Sequence, residues 1–300
     1  MRLFFIAAFS ALILSTNAQA QEPKTYSDGK RGEVTLPQGD ISFADAVVVY
    51  DTGESVPRKS ANKAEAALGF PTFDGNVYDG SFTTLGCGGR LDLQFIDNAL
   101  VDLDGPDLYV FEVGPDVEGT FLEISIDGVT WRAVGEIKGG RAEVDIAEVA
   151  TPGESFRFVR LIDDGVGCHG QFPGADIDAV AAIGSATRYT LDGAVLFDLD
   201  SSDLRSEAEA ALNELSAEIA AAGLTSFTVI GHTDAQGGDD YNMALSQDRA
   251  NAVRTYLQGQ SELAAATIAA RGAGETEPAA NNGTEEGRAT NRRVEIIATP

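Results

Sequence analysis

Histidine and basic residues are scarce in this chain, and each shortage excludes a class of function. Of its 300 residues only two are histidines, and no zinc-ligand spacing, serine–histidine–aspartate order or phosphate-binding loop is present. The 21 lysines and arginines are opposed by 47 aspartates and glutamates, and the formal net charge of −26 disfavours nucleic acid and anionic membranes as partners. We therefore expect a binding protein that is not an enzyme and requires no cofactor.

Long apolar runs are absent after residue 20. The run at residues 3–14 follows Arg2 and precedes Ala18-Gln19-Ala20, which is the pattern of a secretory signal peptide cleaved after Ala20. That run is shorter than the roughly 18 apolar residues that a membrane-spanning helix needs. We expect residues 1–20 to be a signal peptide and the mature protein to be exported and soluble.

Cysteine is also rare, with Cys87 in "LGCGG" and Cys168 in "GVGCHG". Export favours disulfides, and glycine-rich segments let backbones approach closely, so a Cys87–Cys168 bond is predicted. Two free thiols are the alternative. His169 adjoins Cys168, but neighbours on an extended chain point apart, which disfavours a nucleophile–base pair.

The first half of the chain alternates apolar and polar residues with a period of two. Leu91, Leu93 and Phe95 share one face, and Asp127-Gly128 separates two such runs as a hairpin turn would. Many short strands without a long helix predict an antiparallel β-sandwich, jelly-roll-like, over residues 21–186.

The second half, residues 187–300, changes to mixed periodicities. A strand, "RYTLDGAVLFDLD", precedes a helix capped by Ser202 or Asp203 and ended by Gly223. A second helix, from a cap at Asp239 to Gly259, follows the strand "SFTVIGH", and two strands complete the chain. The order β-α-β-α-β-β predicts an α/β sandwich with two helices on one face of a mixed sheet.

Arg249 lies on the apolar side of this second helix. It shares a stripe with Tyr241, Leu245 and Val253, where a guanidinium is costly unless it is paired. Asp234, 15 residues earlier, follows the preceding strand, so both side chains can border one cleft. Such a cleft fits a zwitterion, with the acid binding an ammonium and the arginine a carboxylate. Without ligand, we expect the guanidinium to face Asp234 or water. The alternatives are a turn-capping Asp234 and a structural or snorkelling Arg249.

The segments "VLFDLDSSDL", "GHTDAQG", "YNMALSQDRANAV", "GAGETEP" and "NRRVEI" occur in an order that resembles the OmpA-like C-terminal domain of Gram-negative envelope proteins. The resemblance covers residues 189–298. It implies non-covalent binding of peptidoglycan through the diaminopimelate of its stem peptides, in the periplasm, with association to the outer membrane as a further expectation. It assigns the zwitterion to Asp234 and Arg249, with Thr233 as a backbone contact and Asn242 as a supporting polar group. For Arg292 and Arg293 we expect a structural role.

The first half resembles, over shorter motifs, the discoidin or galactose-binding-like sandwiches of exported proteins, through "SIDGVTW", "RFVRLIDD" and "GADIDAVAAIG". The resemblance implies a glycan or envelope-protein partner and a structural calcium. Candidate ligands are the aspartates of its acidic loops, at positions 102, 104, 107, 163, 164, 176 and 178. Glu112 is a candidate metal ligand or the buried partner of Arg160, and Trp131 is expected in the core.

Three functional classes follow. The first is a wall-binding envelope protein. The second is an adhesin or a carbohydrate- or calcium-binding protein that the second domain tethers to the wall. The third is a wall hydrolase with paired carboxylates, which the scarcity of catalytic motifs disfavours.

Overall fold

The computed structural model describes residues 22–28, 32–114, 117–139, 142–151, 153–166 and 168–299. The predicted signal peptide, residues 1–20, lies outside these ranges. The described residues fall into two compact units, one built mainly from residues 22–188 and the other mainly from Tyr189–Ile296. Among the described residues, no helix combines the length and the apolar character that crossing a membrane requires.

The N-terminal unit is built from short strands. They are β1 (Lys24–Ser27), β2 (Glu33–Leu36), β3 (Ala46–Asp51), β4 (Thr83–Thr84), β5 (Arg90–Gln94), β6 (Asn98–Leu100), β7 (Leu108–Glu112), β8 (Thr120–Ser125), β9 (Arg132–Ile137), β10 (Glu143–Val144), β11 (Phe158–Asp163) and β12 (Asp176–Ala182). One sheet has the order β10-β7-β12-β4 and another β3-β5-β11-β8-β9, and neighbouring strands in both are antiparallel. The predicted antiparallel character is confirmed.

Both sheets contribute to one apolar core, which explains the period-two pattern. Leu91 and Leu93 of β5 belong to the same buried cluster as Leu108 and Val110 of β7. Strand β7 is also buried on its other face, where the antiparallel β1–β2 hairpin packs Tyr26 near Phe111. Burial on both faces is typical of a central strand that another layer covers.

The turn between β8 and β9 forms as its sequence predicts. Asp127 Oδ1 accepts hydrogen bonds from the backbone nitrogens of Val129 and Thr130, at 2.8 and 2.7 Å. Gly128 has a φ of 75°, a left-handed conformation that glycine adopts without steric cost. The turn therefore joins two antiparallel strands.

The C-terminal unit alternates strands and helices. Its elements are β13 (Ser185–Asp192), α1 (Gly193–Leu196), α2 (Ala208–Ala221), β14 (Ser226–His232), α3 (Asp239–Gln258), β15 (Thr267–Gly274), α4 (Glu285–Asn291) and β16 (Arg293–Thr299). The strands follow the order β15-β14-β16-β13, and β14 runs parallel to β15. Two short helices, α1 and α4, are additions to the predicted order.

Local capping explains these differences from the sequence-based prediction. Asp192 Oδ1 accepts a hydrogen bond from the Ala194 backbone nitrogen at 2.8 Å and so caps α1. Helix α1 therefore begins inside the segment that was predicted as one strand. Thr284 Oγ1 caps α4 in the same way, accepting from Gly287 at 3.0 Å. Helix α2 begins at Ala208, later than the predicted caps Ser202 and Asp203, and Gly223 follows its last residues with a φ of 68°.

Helix α3 lies so close to the sheet that two strand positions require glycine. A Cβ on Gly231 would lie 2.1 Å from the carbonyl oxygen of Ser246, and one on Gly272 would lie 2.5 Å from the Ser246 hydroxyl. The buried face of α3 consists of Asn242, Ser246, Arg249, Ala250, Val253 and Leu257. Tyr241, predicted in this stripe, is half exposed. The stripe is therefore rotated from its predicted position, but Arg249 does point inward.

Candidate functional site

A pocket of about 360 Å³, counted with its open mouth, lies in the C-terminal unit where β14 ends. Thr233 and Asp234 directly follow β14, while Asn242 and Arg249 come from α3. The structure places all four predicted ligand-binding residues in the lining of this pocket. The lining is completed by Leu199, Asp200, Gln236, Leu245 and Arg292.

Arg249 is buried, with 7% of its surface exposed, and two of its nitrogens contact backbone carbonyls. Its Nε donates to the Ser201 oxygen at 2.9 Å and its Nη2 to the Asp198 oxygen at 3.4 Å, while the guanidinium carbon lies 5.2 Å from the centre of the Phe197 ring. Burial lowers the pKa of Arg249. The expectation that the guanidinium mainly faces Asp234 or water is therefore wrong, because two of its nitrogens bind the loop after Phe197.

The third nitrogen of the group, Nη1, has no hydrogen-bond partner among the described residues. A buried guanidinium with one open donor can bind an anion without losing its structural contacts. Arg249 therefore makes the structural contacts that the sequence presented as one alternative, and it keeps one donor open to an anion.

Asp234 is paired with an arginine other than the predicted one. Its Oδ2 accepts a short hydrogen bond from Arg292 Nη1, and its Oδ1 accepts the Gln236 backbone nitrogen at 2.9 Å. Arg292 also reaches Glu285 Oε1 at 3.2 Å. Hydrogen bonds with Asp234 raise the pKa of Arg292. Sequence reasoning gave Arg292 only a structural role, and its place next to the pocket follows from α4, which the prediction lacked.

Thr233 and Asn242 complete the polar wall. Thr233 is buried, and its hydroxyl has no hydrogen-bond partner among the described residues. Asn242 Nδ2 donates to the Asp234 carbonyl oxygen at 3.3 Å and to the Glu275 carboxylate. Asn242 thus holds the loop that carries Asp234, while the Thr233 hydroxyl remains available to a ligand.

The two cysteines of the N-terminal unit come close together but are free thiols in this structure. Cys87 Sγ lies 3.8 Å from the Cys168 carbonyl oxygen, and Cys168 Sγ lies 3.5 Å from Asp163 Oδ1. Burial, followed by the hydrogen bond to Cys87 and the charge of Asp163, raises the pKa of the Cys168 thiol. The structure does not show the predicted disulfide.

The predicted calcium ligands are only partly brought together. Carboxylate oxygens of Asp102, Asp107 and Asp145 lie within 4.8 Å of one another. Asp107 is fully buried and accepts the backbone nitrogens of Leu103 and Ile146 at 2.8 and 3.1 Å. The other candidate ligands are used in separate hydrogen bonds. Asp163 and Asp178 accept hydrogen bonds from backbone nitrogens, Asp164 accepts one from Lys138, and Asp176 accepts one from the Thr84 hydroxyl.

Arg160 organises a charged cluster on the sheet that contains β11. Its Nε and Nη2 donate to the two carboxylate oxygens of Asp92 at 2.9 and 3.0 Å, and its Nη1 donates to Glu123 at 2.9 Å. Glu112 is therefore not its partner. The guanidinium lies 3.6 Å from the ring centre of Trp131, which is half-buried beneath it and is not in the core.

Residues 196–292 match the family model described as OmpA family. The putative lipoprotein YfiB of Escherichia coli is 36% identical over 109 residues, which cover 36% of this chain and 68% of that protein. The chain belongs to the OmpA family. Its OmpA-like domain is the unit that holds the pocket.

Other relatives share this domain within longer proteins. Outer membrane porin F of Pseudomonas aeruginosa is 42% identical over 120 residues, which are 40% of this chain and 34% of the porin. The peptidoglycan-binding protein ArfA of Mycobacterium bovis is 36% identical over 117 residues, which are 39% of this chain and 36% of that protein. Among solved structures, the cell wall anchor of the T6SS from Pseudomonas aeruginosa matches 38% of this chain and 80% of its own, at 31% identity and a TM-score of 0.33.

The chain spans about a third of porin F and just over half, 57%, of the outer membrane protein A of Bordetella avium. The matched region is the OmpA-like domain.

Proposed function

We propose that this chain is a non-catalytic protein of the Gram-negative envelope, exported by its signal peptide, that binds peptidoglycan non-covalently. The ligand is the diaminopimelate of the stem peptides, and the OmpA-like domain binds it. One observation carries the proposal: a buried acid and a buried guanidinium with an open Nη1 line the same pocket. A ligand with an ammonium and a carboxylate on one carbon matches that arrangement.

Each pocket residue has a role in this proposal. Asp234 accepts the ammonium, and Arg249 Nη1 donates to the carboxylate while its other nitrogens keep the loop in place. The Thr233 hydroxyl gains a hydrogen bond from the bound ligand, and Asn242 positions the Asp234 loop. Because loop and arginine are held before binding, little ordering of the site is needed.

The relatives support this function. One relative with the same domain bears the name peptidoglycan-binding protein, and others are named as outer membrane proteins or lipoproteins. The net charge of −26 also agrees with a partner site that includes an ammonium group.

The test is co-sedimentation of the mature protein with purified sacculi. We expect the protein to pellet with diaminopimelate-type sacculi and to be released by free diaminopimelate. Equal binding to sacculi with lysine at the third stem position would contradict diaminopimelate recognition. Release of soluble wall fragments would instead support the hydrolase class.

For the N-terminal unit we propose a structural calcium at Asp102, Asp107 and Asp145, whose oxygens approach within 4.8 Å. Calcium should raise the melting temperature of the full chain, and Asp145→Asn should remove that increase. An equal response to calcium in the variant would contradict this site. A glycan or envelope-protein partner of the unit is tested by screening such ligands against the full chain.

We further propose that Cys87 and Cys168 form a disulfide in the exported protein. They are 81 residues apart, and closing such a loop stabilises a fold by about 3–5 kcal/mol. Peptide mapping without reductant should recover the linked pair, and reductant should lower the melting temperature of the N-terminal unit. Recovery of two unmodified thiols from exported protein would refute the bond.

A further inference from the structure

Leu199 is the most exposed large apolar side chain among the described residues. It is 83% exposed and lines the mouth of the pocket in the OmpA-like domain. Nine residues line this pocket, and Leu199 and Leu245 are the two without a polar side chain. A single exposed leucine is ordinary on a protein surface, so its position has to be explained by the loop that carries it.

The loop holds Leu199 in a defined place. The loop is closed at its base by an antiparallel bridge between Phe197 and Leu204, and the Ser201 nitrogen donates to the Asp198 oxygen at 3.2 Å. Arg249 donates to both the Asp198 and the Ser201 carbonyls. The residues before and after Leu199 are therefore fixed by the arginine that faces the ligand.

The backbone of Asp200 gives a second reason to regard the conformation of this loop as defined. Its φ of 54° is the only positive φ of a non-glycine residue among the described residues. Left-handed backbone at a non-glycine residue is unfavourable by roughly 1–2 kcal/mol, and it persists where surrounding contacts enforce it. Leu199 and Asp200 both line the pocket.

We infer that Leu199 forms an apolar subsite for the methyl group of the alanine that follows diaminopimelate in the stem peptide. The inference rests on the proposed function. When the zwitterionic end of diaminopimelate occupies the pocket, three methylene groups lead back to the peptide-linked end, which lies at the mouth. The residues bonded to that end are a glutamate and an alanine, and alanine is the one with an apolar side chain.

The subsite gives a measurable preference between two peptides. Burying one methyl group against an apolar side chain strengthens binding about fourfold. Wild-type full chain should bind L-Ala-γ-D-Glu-diaminopimelate-D-Ala about fourfold more tightly than the same peptide with glycine in the last place. Free diaminopimelate lacks the alanine and does not reach the subsite.

The experiment is a double-mutant cycle in which the alanine methyl of the ligand and the Leu199 side chain are each removed. The affinities are measured by titration calorimetry. Leu199→Ser should bind both peptides equally, and its affinity for free diaminopimelate reports any change in the rest of the pocket. Leu199→Met should retain the preference. Val129→Ser removes an apolar side chain that is 78% exposed in the N-terminal unit, and this control should behave as the wild type.

The outcomes separate the inference from the proposed function. A fourfold preference that persists in Leu199→Ser, or an absent preference in the wild type, overturns the subsite. Equal weakening of free diaminopimelate and of both peptides in Leu199→Ser also overturns it, because Leu199 would then shape the loop without contacting the alanine. If wild type binds none of the three probes, the proposed function fails and the subsite fails with it.

Discussion

Asp234 forms its ion pair with Arg292 and not with Arg249, although both arginines border the same pocket. The carboxylate is thus balanced by Arg292 before any ligand arrives, and the Arg249 guanidinium keeps its open Nη1. In the proposed complex, the open Nη1 of Arg249 is the donor available to the carboxylate of the zwitterion. In the same proposed complex, the ammonium shares Asp234 with Arg292.

Asp234→Asn tests the acid directly. It keeps the size of the side chain but removes the charge that accepts the ammonium, and removing one partner of such a pair typically costs about 2–5 kcal/mol. Calorimetry should show that free diaminopimelate binds roughly thirtyfold more weakly or worse. Asp239→Asn, an exposed change in the first turn of α3, is the control and should leave affinity unchanged. Wild-type affinity in Asp234→Asn would remove this residue from the site.

Arg249→Ala should weaken the fold as well as the binding. The change leaves the Ser201 and Asp198 carbonyls without their donor and removes the packing on Phe197. Loss of such contacts should lower the free energy of unfolding of the ligand-free domain by about 1–3 kcal/mol. The sequence-based expectation, in which the guanidinium faced Asp234 or water, did not include these structural contacts.

Urea denaturation without ligand is the measurement for this prediction. Arg254→Ala, a change to a half-buried arginine on the same helix, serves as the matched control and should have a smaller effect. Unchanged stability of Arg249→Ala would mean that the carbonyl contacts contribute nothing and that the guanidinium serves the ligand alone.

The sequence predicted which residues lie at the pocket but not which of their side chains are hydrogen-bonded to each other. Periodicity and the "GHTD" segment placed Asp234 and the inward Arg249 at one cleft. The role of Arg292 depends on a seven-residue helix, α4, whose cap at Thr284 is a local signal that the pattern of apolar residues does not contain. The carbonyls that accept hydrogen bonds from Arg249 are backbone groups, and the residue types of the loop do not predict them.

In the N-terminal unit, the sequence likewise predicted the buried faces of strands but not the ion pairs. Alternation identified the buried faces of β5 and β7, because burial of every second residue is a property of the strand itself. It could not assign ion pairs, since the partner of Arg160 depends on which strands are neighbours. The register places Arg160 opposite Asp92 on one side and Glu123 on the other, which excluded the predicted Glu112.

Gly231→Ala should disrupt the OmpA-like domain, although it adds one methyl group. That methyl would lie 2.1 Å from the Ser246 carbonyl oxygen, so α3 must move away from β14. Overpacking of this kind typically costs 1–3 kcal/mol or more, and the shift would carry Arg249 away from Asp234. Gly238→Ala, whose added methyl has nothing within 4 Å, is the matched control. Similar urea midpoints and diaminopimelate affinities for the two variants would show that the close approach is not required.

The N-terminal unit should be more stable at pH 5 than at pH 8. Burial raises the pKa of Asp176 to about 7 and that of Asp178 to about 6. Between the ordinary aspartate value near 4 and these values, the folded chain holds more protons than the unfolded chain. The free energy of unfolding therefore falls as pH rises through this window and levels off above about pH 7.

At lower pH, the free energy of unfolding changes with pH in the opposite direction. The hydrogen bond with Arg132 lowers the pKa of Glu154 to about 2, so its contribution is present above the ordinary glutamate value and is lost as pH falls toward 2. The two effects together place the stability maximum of this unit near pH 4–5. Trp131, the chain's only tryptophan, lies in this unit, and its fluorescence follows the unfolding of this unit in urea.

Asp176→Asn isolates one contribution to this pH dependence. Asparagine retains an acceptor for the Thr84 hydroxyl but cannot ionise, so the fall in stability between pH 5 and 8 should become smaller by about 1 kcal/mol or more. Asp104→Asn, at an exposed loop position, is the control and should keep the wild-type slope. A urea midpoint that rises from pH 5 to pH 8 in the wild type would contradict the prediction, because the buried carboxylates would then be better stabilised as anions than as neutral acids.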